Sequence, residues 1–195
     1  MIRTTMMILG FGLSASAHAA DLARAETIVS QTCHLCHGKD GENSNAVYPR
    51  LAGQNAAYIA KQLGDFKNGR RKGTMTAMVT DLNEAEMVAL GKYFSSKPTK
   101  AHRVSEPELA AVGQYLYHNG NKWSGLASCA SCHGAEAAGS ETLPRLAGQH
   151  ARYLVTQLKD FNTRERTNDN AVMHSIASKL TEFEVEALAR YLSGK

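Results

Sequence analysis

Past residue 20 the chain has no apolar run long enough to cross a bilayer, which takes about 20 consecutive apolar residues. It has no strand-like alternation of apolar and polar residues, so an all-β fold is excluded. No basic run or aromatic-interleaved basic patch is present, which argues against nucleic acid as a partner despite a sequence pI near 8.9. Cysteine is scarce as well. There are four in 195 residues, and all of them fall in two short motifs, so no cysteine is left over for a disulfide framework or a separate thiol site.

Those motifs are TCHLCHG, with Cys33, Cys36 and His37, and SCASCHG, with Cys129, Cys132 and His133. A CxxCH pentapeptide is the attachment signature of c-type haem. Two residues between the cysteines let both sulfurs reach one edge of the macrocycle, and the adjacent His then lies over the iron. A thioredoxin-like pair or half a zinc site would need only the cysteines. With 92 residues between Cys36 and Cys129, a zinc ribbon is excluded, and neither alternative explains the His after both pairs. Two covalent haem c groups are expected.

The first 19 residues, MIRTTMMILGFGLSASAHA, have one Arg, an apolar stretch from Met6 to Leu13 and an Ala17-His18-Ala19 cleavage site. This predicts an export signal at 1–19, a mature chain from Ala20 and a periplasmic location, where c-type haem is attached. Loss of Arg3 leaves the mature chain at +3, and four haem propionates bring the holoprotein near −1, so any docking surface is local.

The rest of the chain is written twice. TCHLCHG, YPRLAGQ, YIAKQLGDF and TMTAMVTDL are followed by SCASCHG, LPRLAGQ, YLVTQLKDF and AVMHSIASKL. The offset is 96 at the cysteines, 95 from Pro49/Pro144 to Phe66/Phe161, and 98 at the last helix. A period this long describes two tandem domains, 20–97 and 104–195, joined by a polar linker at 98–103. The patterns inside each copy are helical. Asp21–Thr32 and Glu106–His118 precede the haem motifs, and Pro107 suits a first helical turn. Asn83 with Glu86, and Thr181 with Glu184, predict capping boxes for the closing helices. Each domain is expected to be a small all-α fold whose core is largely the haem.

The proximal ligands follow from the motif as His37 and His133; the distal ones rest on the repeat. Met opposite His is common in electron-transfer haems and raises the potential. Of Met75, Met78 and Met87, only Met75 has a methionine, Met173, at its register in the second copy. Met87 is the staple residue of its helix, and Met78, one turn from Met75, is the competing ligand. His150, His174, His34, His102 and His118 each lack a His at the equivalent position and are expected at the surface rather than on iron. A carbonyl near Pro49 or Pro144 is placed to accept the His Nδ1 proton, and Arg50 and Arg145 are candidates to pair with haem propionates.

In both CxxCH motifs, both PRLAGQ segments, QLxDF in each half, RTND and SIASKL, the mature chain resembles the cytochrome c4 family of dihaem c-type cytochromes. The resemblance implies two tandem class I cytochrome c-like domains related by a pseudo-twofold axis, with both irons His/Met ligated. It implies a respiratory electron carrier rather than an enzyme, with a quinol-oxidising cytochrome complex as donor and a terminal haem–copper oxidase as acceptor. A monomer, with peripheral membrane association in some members, is also implied. The segment KNGRRKGT before Met75 is shorter than in some relatives. The alternatives are a dihaem enzyme of peroxidase or thiosulfate-oxidising type, which needs an open or differently ligated iron, and an electron-relay subunit of a larger complex.

Overall fold

A computed structural model describes residues 13–195, with side chains from Asp21 onward; residues 1–12 of the expected export signal lie outside the described residues. The described residues are helical, with one isolated antiparallel bridge, Asn121 to Leu126. In the first half these are α1 (Leu13–Ile28), α2 (His34–His37), α3 (Ala56–Lys67), α4 (Met75–Met78) and α5 (Glu84–Ser95). The second half has α6 (Pro107–Asn119), α7 (Ala130–His133), α8 (Ala151–Thr163), α9 (Val172–Ala177) and α10 (Glu182–Ser193). None of the described helices is long and apolar enough to cross a membrane.

Each half is built the same way: the helix before the haem motif crosses the closing helix, which also carries the middle helix. In the first half α5 packs on α1 and α3, burying Ala25, Val29, Ile59, Leu90 and Phe94. In the second, α10 packs on α6 and α8 around Leu116, Tyr117, Leu154, Leu188 and Leu192. The helix crossings are close enough to need glycine. A Cβ on Gly113 of α6 would lie 1.9 Å from the Ala187 carbonyl oxygen of α10, and one on Gly91 of α5 2.3 Å from that of Ala56. Both predicted capping boxes form, with Asn83 and Thr181 accepting from the amides of Glu86 and Glu184, and Pro107 occupies the first turn of α6.

The two copies enter their haem motifs differently. Helix α1 passes through a π-helical turn, Val29–Cys33, directly into α2. Between α6 and α7 the chain instead makes a tight loop, closed by two reciprocal 2.9 Å bonds between Asn121 and Leu126. Gly120, at φ 69°, turns into it where a Cβ would meet the Leu126 carbonyl at 2.2 Å.

The halves are joined by an exchange that reflects the repeat. Gln54 accepts from the Arg145 amide at 2.8 Å and donates to the Arg145 carbonyl at 2.9 Å. Gln149 does the same to Arg50, at 2.8 and 2.9 Å. Asn55 donates to the Ala138 carbonyl at 3.2 Å, while His150, at Asn55's register, lies 3.1 Å from the Asn43 carbonyl. Equivalent residues thus make equivalent contacts in both directions, the mark of a twofold interface.

Candidate functional site

The CxxCH segments are single helical turns. They end at Gly38 and Gly134, whose φ of 74° and 77° stop the helix at once. This turn geometry puts His37 and His133 inside the fold, 6% and 8% exposed, while Leu35 between the first two cysteines faces solvent. None of the four cysteines is joined in a disulfide.

Each proximal-histidine candidate is held by the carbonyl expected from the sequence. His37 Nδ1 lies 3.0 Å from the Pro49 carbonyl and His133 Nδ1 3.3 Å from that of Pro144. With Nδ1 donating, the ring is fixed as the tautomer whose Nε2 carries the lone pair, the form that binds a metal. Burial pushes both rings below the ordinary histidine range, against a smaller opposing effect of the proline carbonyls, so both are neutral at pH 7.

Met75 opens α4 and Met173 is the second residue of α9; both are half-buried. Met78 is 45% exposed, whereas Met87 is buried in the core of α5. His174 turns its Nδ1 to the Phe161 carbonyl at 3.0 Å, and His34 to that of Val29 at 3.1 Å, each satisfied on its own backbone. His118 meets the Tyr191 hydroxyl at 3.0 Å. His150 differs from the expectation of a surface residue. It is buried at the junction of the halves because the repeat places its register there, and burial pushes its pKa down.

The residues present suit a haem. Two cysteines outside any disulfide, a His with a committed Nδ1 and a half-buried thioether form the donor set of a c-type site in each half. Arg145 Nε is buried without a protein partner, as befits a cation facing a propionate. Arg50 is more engaged, donating through Nη1 to the Gly148 carbonyl and lying 3.2 Å from Glu42.

The family described as "Cytochrome c" matches residues 110–194, and that described as "Cytochrome C oxidase, cbb3-type, subunit III" matches 20–94. The chain is similar to cytochrome c4 of Azotobacter vinelandii, 36% identical over 203 residues that cover 96% of each protein. The crystal structure of reduced recombinant cytochrome c4 from Pseudomonas stutzeri superposes with a TM-score of 0.84 at 34% identity, covering 89% of this chain and 97% of that one. The chain belongs to the cytochrome c4 family. As in that family, it has two cytochrome c domains and two covalently bound haem c groups. It is also similar to a protein named thiosulfate dehydrogenase electron acceptor from Thiomonas intermedia, 36% identical over 170 residues, covering 84% of this chain and 78% of that protein.

The repeated Gln54 and Gln149 were not singled out from the sequence, although both copies of LAGQ carried the signal. Helical periodicity says nothing about a polar residue in a turn, and only the folded pair shows that each glutamine reads the other half's backbone.

Proposed function

We propose that the chain is an exported periplasmic electron carrier, accepting electrons from a quinol-oxidising cytochrome complex and delivering them to a terminal haem–copper oxidase. In this reading Cys33 and Cys36 hold one haem, with His37 and Met75 as axial ligands. Cys129 and Cys132 hold the other, with His133 and Met173. The mature chain starts at Ala20, with domains 20–97 and 104–195 and a linker at 98–103.

The supporting observation is that both halves offer the same His and Met pair, with each His anchored through Nδ1. Two protein ligands per iron leave no position for a substrate, so outer-sphere transfer is favoured over enzymatic turnover. When bound, the haem supplies a one-electron Fe(III)/Fe(II) couple, and a thioether ligand favours the ferrous state. The chain's own residues fix the ligands, keep water away and bring the two halves together. The Thiomonas relative's name supports a second reading, in which the donor is a thiosulfate dehydrogenase.

The test mixes oxidised holoprotein with each donor system and follows both haems optically. Rapid reduction by the quinol-oxidising complex and reoxidation by the oxidase supports the first reading. Reduction only by thiosulfate with its dehydrogenase selects the second. Turnover of thiosulfate or peroxide by the isolated protein would overturn both.

A further inference from the structure

We propose that Asp65 of the first domain is a positioning residue for the methionine loop of the second, so that retention of Met173 depends on a contact across the domain interface. The inference rests on Met173 being the second haem's distal ligand.

The two methionine loops leave from equivalent anchors. The Arg71 amide donates to the Asp65 carbonyl and the Arg166 amide to the Asp160 carbonyl, both at 3.0 Å. From there the first loop needs three residues to reach Met75, and the second takes six to reach Met173. Glycines turn the short loop, with Gly69 at φ 70° and Gly73 at φ 144°. The longer one has Arg164 at 65° in place of Gly69, and then Asn170 at 56° and Ala171 at 65° directly before α9. Residues with a Cβ rarely adopt this region and persist there only when their surroundings hold them.

Within the second domain Arg166 Nε donates to Asn168 Oδ1 at 3.0 Å, and Asp169 accepts the Met173 amide. The remaining hold comes from the other domain. Asn168 Nδ2 donates to Asp65 Oδ2 at 2.6 Å and to Gln62 Oε1 at 2.9 Å, while Lys61 Nζ donates to the Asn168 carbonyl at 2.9 Å. Asp65 is itself immobilised: it is 1% exposed and paired with Lys61 and with Arg70 at 2.8 Å.

The clamp runs one way. The residue at Asn168's register in the first loop is Gly73, which has no side chain to offer, and Asp160 is bonded within its own domain by Gln157 at 3.0 Å. Both loops reach across through their arginines, but only the longer, strained loop has this second tie at Asn168.

The test measures displacement of the distal methionine by imidazole in the ferric holoprotein, where entry of the probe is limited by release of the thioether. Met173→Ala identifies the second haem's phase and must remove one haem's share of the far-red ferric band; an intact band overturns the ligand assignment, not the positioning. Asn168→Ala and Asp65→Ala are each expected to speed the second-haem phase about tenfold or more, the effect of one lost charge-assisted hydrogen bond. The double variant should fall short of the product of the two single effects, because both changes break the shared Asn168–Asp65 contact. In Asn168→Ala the first-haem phase should not move, which also reports an intact fold. Should Asp65→Ala fail to fold, Asp65→Asn keeps the size and gives a smaller rise in the same phase. An unchanged second-haem phase in Asn168→Ala, or multiplicative effects in the double variant, overturns the proposal.

Discussion

Arg71 and Arg166 occupy equivalent positions and reach across the domain interface in opposite directions. Arg71 donates to Tyr153 at 3.0 Å and Gln157 at 2.7 Å of the second domain, and Arg166 to Tyr58 at 3.0 Å and Gln62 at 3.1 Å of the first. Each also bonds its own domain's glutamine and lies over its own domain's phenylalanine, Phe66 at 4.6 Å or Phe161 at 4.5 Å. Removing either arginine takes one donor from both glutamines and the donor from a half-buried tyrosine hydroxyl, Tyr153 or Tyr58.

Arg166 is the more deeply buried of the two. Arg166→Met should therefore lower the unfolding free energy by about 3 kcal/mol, the scale of a broken buried hydrogen-bond network. Arg71→Met should cost less than half of that. Chemical denaturation of the two holoprotein variants checks the order, and a larger loss at Arg71 would contradict it.

Met75→Ala should remove one haem's far-red ferric band and lower that haem's potential, since the thioether ligand is lost. Met78 is 45% exposed, so Met78→Ala leaves little cavity and should cost under about 1 kcal/mol with an unchanged spectrum. If Met78→Ala instead abolishes the band, the ligand is one turn further along α4.

Two glycine-to-alanine changes should act with opposite sign. Gly113→Ala forces a Cβ against the backbone of α10 and should destabilise by about 2 kcal/mol or more. Gly64 lies inside α3 with open space where its Cβ would be, so Gly64→Ala should stabilise by about 0.5–1 kcal/mol. Thermal melting of both variants compares them directly.

Burial pushes the Glu184 carboxyl up, but the Thr181 amide, the Asn121 side chain and the Thr181 hydroxyl outweigh it and hold it below the usual glutamate range. A depressed folded pKa gives stability that is present above the unfolded value and is lost as pH falls through the folded one. Wild type should thus melt above Glu184→Gln at pH 7, and the gap should close below about pH 4.5. A gap independent of pH would show that the carboxylate's charge is not involved.

The sequence determined what is local or repeated. Capping at Asn83 and Thr181 depends on residues three apart, and the CxxCH turn brings its own His into place, so both are legible in the chain. The carbonyls that orient His37 and His133 were legible too, because a proline follows each His at nearly the same distance. Copying of the whole unit made a two-domain all-α architecture readable and distinguished Met75 from its neighbours by register.

Only the tertiary structure decided how the copies meet and where they stop being equivalent. Gln54 pairs with Arg145 over 91 residues of sequence, and Asn168 with Asp65 over 103, separations at which no periodicity constrains partners. His150 is buried because the twofold exchange covers it, not because of its neighbours in the chain. The three extra residues before Met173 are visible as an insertion, but their left-handed backbone and their attachment to the first domain are not. Those depend on two surfaces closing on each other, and the shape and charge of such surfaces exist only once the chain has folded.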